Sequence, residues 1–171
     1  MKITLSGLDR QLKGLLTVYL IVVTIGVSLG LVYVSQTTSM TPNGMIERYN
    51  GSETNESDIE FAESYPKSLS ELLTTTHSHI LGMSFIFFSI GLIFNFNTLI
   101  SGLPKTIIMI EPLISLVATF GSIWLIRYAD PAFVYLTYLS AVLMYAGFYT
   151  IVSISIYELV ILNEEKELRN K

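Results

Sequence analysis

Apolar residues gather along this chain into four long runs separated by polar intervals. The first is Leu15 to Val34, "LLTVYLIVVTIGVSLGLVYV". The second holds Ile80 to Phe96, and it reaches the roughly 20 residues that span a hydrocarbon core only if it begins near His77. The third covers about Thr106 to Ile126, and the fourth stays apolar from Pro131 to about Leu162. At roughly 1.5 Å per residue the fourth exceeds a core of about 30 Å, so it should tilt or protrude.

Local signals sharpen the boundaries. Asp130 and Pro131 suit the N-cap and first helical position of the fourth run. Ser68 and Glu71 have capping-box spacing, which starts the second helix about two turns before the histidines. The pattern predicts helices at about 15–35, 69–96, 106–127 and 131–162, with a polar, exposed segment over about 36–68. This is an all-α integral membrane four-helix bundle, a single membrane domain over 1–171.

Composition agrees with that pattern. Hydrophobic residues make up 51% and charged residues 14% of the 171, where a soluble domain carries about 25% charged. The net charge is −4 and no basic patch exists, which removes nucleic acid from the expected partners. There is no cysteine, so this chain holds no disulfide, thiolate metal site or iron–sulfur cluster. The bilayer is the first expected partner, followed by other membrane proteins or further copies of the chain.

Lys and Arg orient the helices. Lys2, Arg10, Lys13, Lys105, Lys166, Arg169 and Lys171 fall on one side, and Arg48, Lys67 and Arg127 on the other. Seven against three predicts both termini in the cytoplasm, in a membrane of the bacterial inner type. Segment 36–76 is then outside, and it is acidic, with Glu47, Glu53, Glu56, Asp58, Glu60, Glu63 and Glu71. The first run is expected to be retained, since it is long for a signal peptide and "SQTTSM" is a poor cleavage site. Asn50-Gly51-Ser52 and Asn55-Glu56-Ser57 match glycosylation sequons, which matter only in a eukaryotic host.

Small and polar positions suggest how the helices pack. Gly26 and Gly30 form a GxxxG, expected to serve packing within the chain rather than a dimer face. Glu111, Ser115, Thr119 and Ser122 make a polar stripe that should face protein rather than lipid. Tyr135, Tyr138, Tyr145 and Tyr149 share one helix face, either as a packing seam or as a wall beside a cofactor.

The candidate chemistry centres on His77 and His79, the only two histidines, at the outer lip of the second run. In a regular helix they point about 200° apart, so the two cannot be the axial pair of one haem. A locally extended "TTTHSH" would instead let both chelate copper or zinc. His79 and Met83 share a helix face, and Met40 or Met45 could add thioethers for Cu(I). Arg127 and Trp124 should lie at the same level, where arginine anchors the helix or meets a haem propionate.

Two further carboxyls lie inside apolar runs. Glu111, followed by Pro112, is a proton- or ion-coupling candidate. Glu158 is a second candidate, with the plainer expectation that it reaches water near the interface. The expected function is a small polytopic subunit of a larger membrane complex, of respiratory or redox type, with a haem or metal site near the outer face. The alternatives are an oligomeric small transporter using an embedded glutamate, or a purely structural subunit. No nucleophile–base constellation marks the chain as an enzyme on its own.

Overall fold

The computed structural model describes residues 3–52 and 65–162. The acidic positions Glu53, Glu56, Asp58, Glu60 and Glu63, the second sequon, Lys2 and the basic tail from Lys166 lie outside the described residues. Among the described residues the chain is all-helical, with α1 (Arg10–Thr38), α2 (Pro42–Asn50), α3 (Leu69–Asn95), α4 (Gly102–Tyr128) and α5 (Val134–Ile156). Four of its helical stretches are long and apolar enough to cross a membrane.

α1, α3 and the turn that leads into α5 start where a side chain accepts from a free amide of the first turn, whereas α4 starts after Ser101 without a side-chain cap. Asp9 accepts from the Leu12 amide at 2.9 Å, so α1 opens more than a turn ahead of its apolar run. Ser68 and Glu71 form the full capping box expected for α3. Asp130 accepts from the Ala132 amide at 2.7 Å, and Pro131 to Phe133 make a 3-10 turn that feeds α5. These three starts depend only on residues within one turn.

The segment expected to be an open polar stretch contains α2 instead. Thr41 caps it by accepting from the Gly44 amide at 3.0 Å, and Pro42 fills the first helical position. A side chain on Gly44 would run into the Thr38 carbonyl, so only glycine permits this reversal at the end of α1. The Asn50 amide donates to the Ile126 carbonyl at 3.2 Å, pinning α2 to α4. The nitrogen of the first sequon is therefore engaged with the bundle.

The core lies among α3, α4 and α5, where Phe87, Ile90, Phe94, Leu116, Phe148 and Ile151 are fully buried. α1 stands to one side. Only 6% of its apolar window is buried, against 28–39% for the other three. A 2.8 Å hydrogen bond between Ser28 and Tyr149 ties α1 to α5. Gly26 and Gly30 are exposed, and a Cβ at either would meet nothing within 4 Å. The expectation that this GxxxG packs within the chain is thus corrected: α1 turns that face outward.

The polar stripe behaves as expected, facing α5. Thr119 donates to Ser140 at 2.8 Å, and Ser122 pairs with Thr137 at 2.7 Å. Where the stripe reaches Glu111, α5 passes so closely that a Cβ on Gly147 would lie 2.7 Å from Pro112 and 2.8 Å from the Glu111 carboxyl. Small and hydroxyl-bearing residues allow this close approach in an apolar medium.

At the end of the bundle opposite α2, several strands of the chain converge on the turn between α3 and α4. The Leu5 amide donates to the Phe96 carbonyl at 3.0 Å. Lys105 donates to the carbonyls of Asn95 and Asn97 at 2.7 and 2.8 Å. α5 widens into a π-helical turn over Tyr157–Ile161, and this turn carries Glu158 into the same place.

Candidate functional site

α3 is unbroken from Leu69, so "TTTHSH" is helical and the extended chelate geometry is not formed. Both histidines are exposed, and they lie about 200° apart around the helix axis. His79 is the more constrained. Its Nδ1 lies 2.8 Å from the Thr75 carbonyl, and its ring packs on Phe120 with centroids 5.0 Å apart. A carbonyl can only accept, so the neutral ring carries its proton on Nδ1 and leaves the Nε2 lone pair open. Met83, half-buried, follows one turn further along the same face.

Trp124 lies near the expected level, whereas Arg127 lies about two turns of α4 beyond Phe120, the ring that packs on His79. The Trp124 indole donates to Thr76 at 2.8 Å, one turn from His79. Arg127 donates to the Lys67 carbonyl at 3.3 Å and lies 5.2 Å from the Tyr128 ring centroid. Its contacts are those of an anchor. Tyr135 is 69% exposed at the start of α5, and the Tyr138 hydroxyl is buried without a partner among the described residues. The ring against His79 is Phe120 rather than either tyrosine.

One turn ahead of His79, Thr75 forms part of the floor of a cleft of about 330 Å³ between the end of α1, α2 and the first turns of α3. Tyr33, Arg48, Tyr49 and Lys67 form its walls. Arg48 donates to the Tyr33 hydroxyl at 3.0 Å and lies 5.2 Å from that ring's centroid. Burial pushes the Tyr49 phenol above its ordinary range, opposed by the charge of Arg48 beside it. Glu71 accepts from Lys67 at 2.9 Å and from the Ser68 amide at 2.8 Å.

In the sequence Arg48 and Lys67 stand out only as orientation charges, and no pattern marks Tyr33 or Tyr49. The pairing of Tyr33 with Arg48 joins two helices, and no local pattern announces it. The Thr41-Pro42 start of α2 was the one signal that could have placed Arg48 and Tyr49 on an ordered element.

The two carboxyls sit differently. Glu111 accepts a short hydrogen bond from Ser115, while its Oε2 is buried with no partner among the described residues. Glu158 is fully buried rather than open to water, which corrects the plainer expectation. It accepts from the Asn97 side chain at 2.7 Å and from the Thr98 amide and hydroxyl, each at 2.8 Å. It holds the α3–α4 turn closed. Among the described residues no three His, Asp or Glu side chains converge on a point that could hold a metal ion.

No curated protein and no solved structure matches this chain. The family model that does match takes in α2, α3, α4 and α5 and leaves out α1. Over residues 39–167, about three quarters of its length, the chain belongs to the Aq_1264_TM family, a transmembrane helical domain.

Proposed function

We propose that this protein is a small subunit of a larger membrane assembly in which His79 donates one ligand to a haem, copper or zinc centre completed by a neighbouring chain. The carrying observation is the imidazole itself. Its Nδ1 is tied to a backbone carbonyl 2.8 Å away while Nε2 stays open, the arrangement in which outer hydrogen bonds orient metal-ligating histidines. His77 points away, and Met83 lies on the same helix, so a second axial ligand has to come from elsewhere. The seven-to-three distribution of Lys and Arg favours cytoplasmic termini in a bacterial inner membrane, with the cleft and His79 outside. The test is metal analysis and an absorption spectrum of the detergent-purified protein with whatever co-purifies. His79→Gln should abolish the centre and His77→Gln should leave it. Absence of haem absorbance and of stoichiometric copper, zinc or iron in the wild type would sink the reading.

Glu111 favours a second reading, an oligomeric small transporter. A carboxyl oxygen buried without a donor beside Pro112 is free to meet a proton or cation. Glu111→Gln should then reduce proton- or cation-coupled flux in liposomes at least tenfold. Unchanged flux removes it.

A further inference from the structure

The cleft beside α2 has a chemistry of its own. No ion pair of Arg48 is found among the described residues, and the carboxylate that lines the same cleft, Glu71, is engaged by Lys67 and by the cap of α3. The guanidinium instead donates to the Tyr33 hydroxyl at 3.0 Å, in a cleft that Tyr49 also lines. Among the described residues two cations and one carboxylate line the cleft, an excess of one positive charge. Tyrosine hydroxyls and the hydroxyls of Ser70 and Thr74 add neutral donors around a space of about 330 Å³.

Depth narrows the ligand further. From Asn95, at the far end of α3, back to Thr75 is roughly 20 residues, which rise about 30 Å, the thickness of a hydrocarbon core. A hydrocarbon span that began at Asn95 would end near Thr75, which would put Thr74 and Glu71 at the level of the headgroups. A planar, always-charged guanidinium with donors to spare suits phosphate oxygens, and the flanking phenols hold it in position.

We propose that this cleft binds a phosphate group, with Arg48 as the main contact, Lys67 as the second cation and the two phenols as positioning residues. The phosphate can reach it on a lipid headgroup from the bilayer side or on a soluble phosphate ester from water. The full-length protein decides between these sources in nanodiscs of phosphatidylcholine alone, nanodiscs containing phosphatidylglycerol, and titration with inorganic phosphate. Retained lipid is read by native mass spectrometry, and phosphate binding by the shift of the thermal unfolding midpoint.

Retention of phosphatidylglycerol that falls at least tenfold in Arg48→Gln, with no response to inorganic phosphate, supports the proposal with a lipid source. A saturable rise in the midpoint with inorganic phosphate, lost in Arg48→Gln, supports it with a soluble source. Arg48→Lys keeps the charge and should retain part of either effect, and Tyr33→Phe should weaken it without changing any charge. If wild type and a folded Arg48→Lys protein bind neither probe better than Arg48→Gln does, the proposal is overturned. These readouts are independent of metal content, so this site and the His79 centre stand or fall separately.

Discussion

Glu158 illustrates what a single residue does when its partners are distant in sequence. Its two oxygens take three donors from a turn about 60 positions earlier, and it has no exposure to solvent. Removing the acceptor leaves these donors unpaired in a buried site, at a cost of about 1–3 kcal/mol for an orphaned group. Glu158→Ala should therefore lose about 3 kcal/mol of stability, and Glu158→Gln less, because the amide oxygen still accepts. Denaturant unfolding in detergent checks the order of the two. Nothing in "SIYELVI" announces this role, since hydropathy reports how apolar a run is and not which loop will fold onto it. The same limit applied to Tyr33 and Arg48. His79 was legible only in part: its sequence position marked it as a candidate at the edge of an apolar run, while its tie to Thr75 depends on the segment being helical.

Among the elements, those written in local chemistry were the readable ones. The Ser68 capping box and the Asp130-Pro131 start appear where the sequence placed them, because each is satisfied within a turn of chain. α2 was missed because nine residues of low hydrophobicity resemble a loop, and its order comes from packing against neighbours. Glycine roles divide along the same line. A methyl at Gly147 would press on Pro112 and Glu111 at under 3 Å, so Gly147→Ala should destabilise by about 1–3 kcal/mol through overpacking. At Gly26 and Gly30 a methyl meets no neighbour within 4 Å. Alanine there should be neutral or stabilise by up to about 1 kcal/mol, the difference in helix propensity. Melting of the three single variants in the same detergent separates the cases.

For the molecule as a whole, α3, α4 and α5 form the packed body and α1 leans against it. The predicted orientation is tested by single cysteines, since the natural chain has none to compete. Ser70→Cys should react with an impermeant maleimide added to intact cells, and Ser101→Cys only after the membrane is opened. The reverse pattern would invert the assignment of sides. The clasp at the far end also bears on how the protein is made. A chain emerging from the ribosome presents Asn97 and Thr98 long before Glu158 has been synthesised. Until then the three donors of that turn lack the carboxylate they hold in the finished bundle. A chain truncated before Glu158 should therefore be degraded faster than the full chain, which a pulse-chase of the two in membranes would measure.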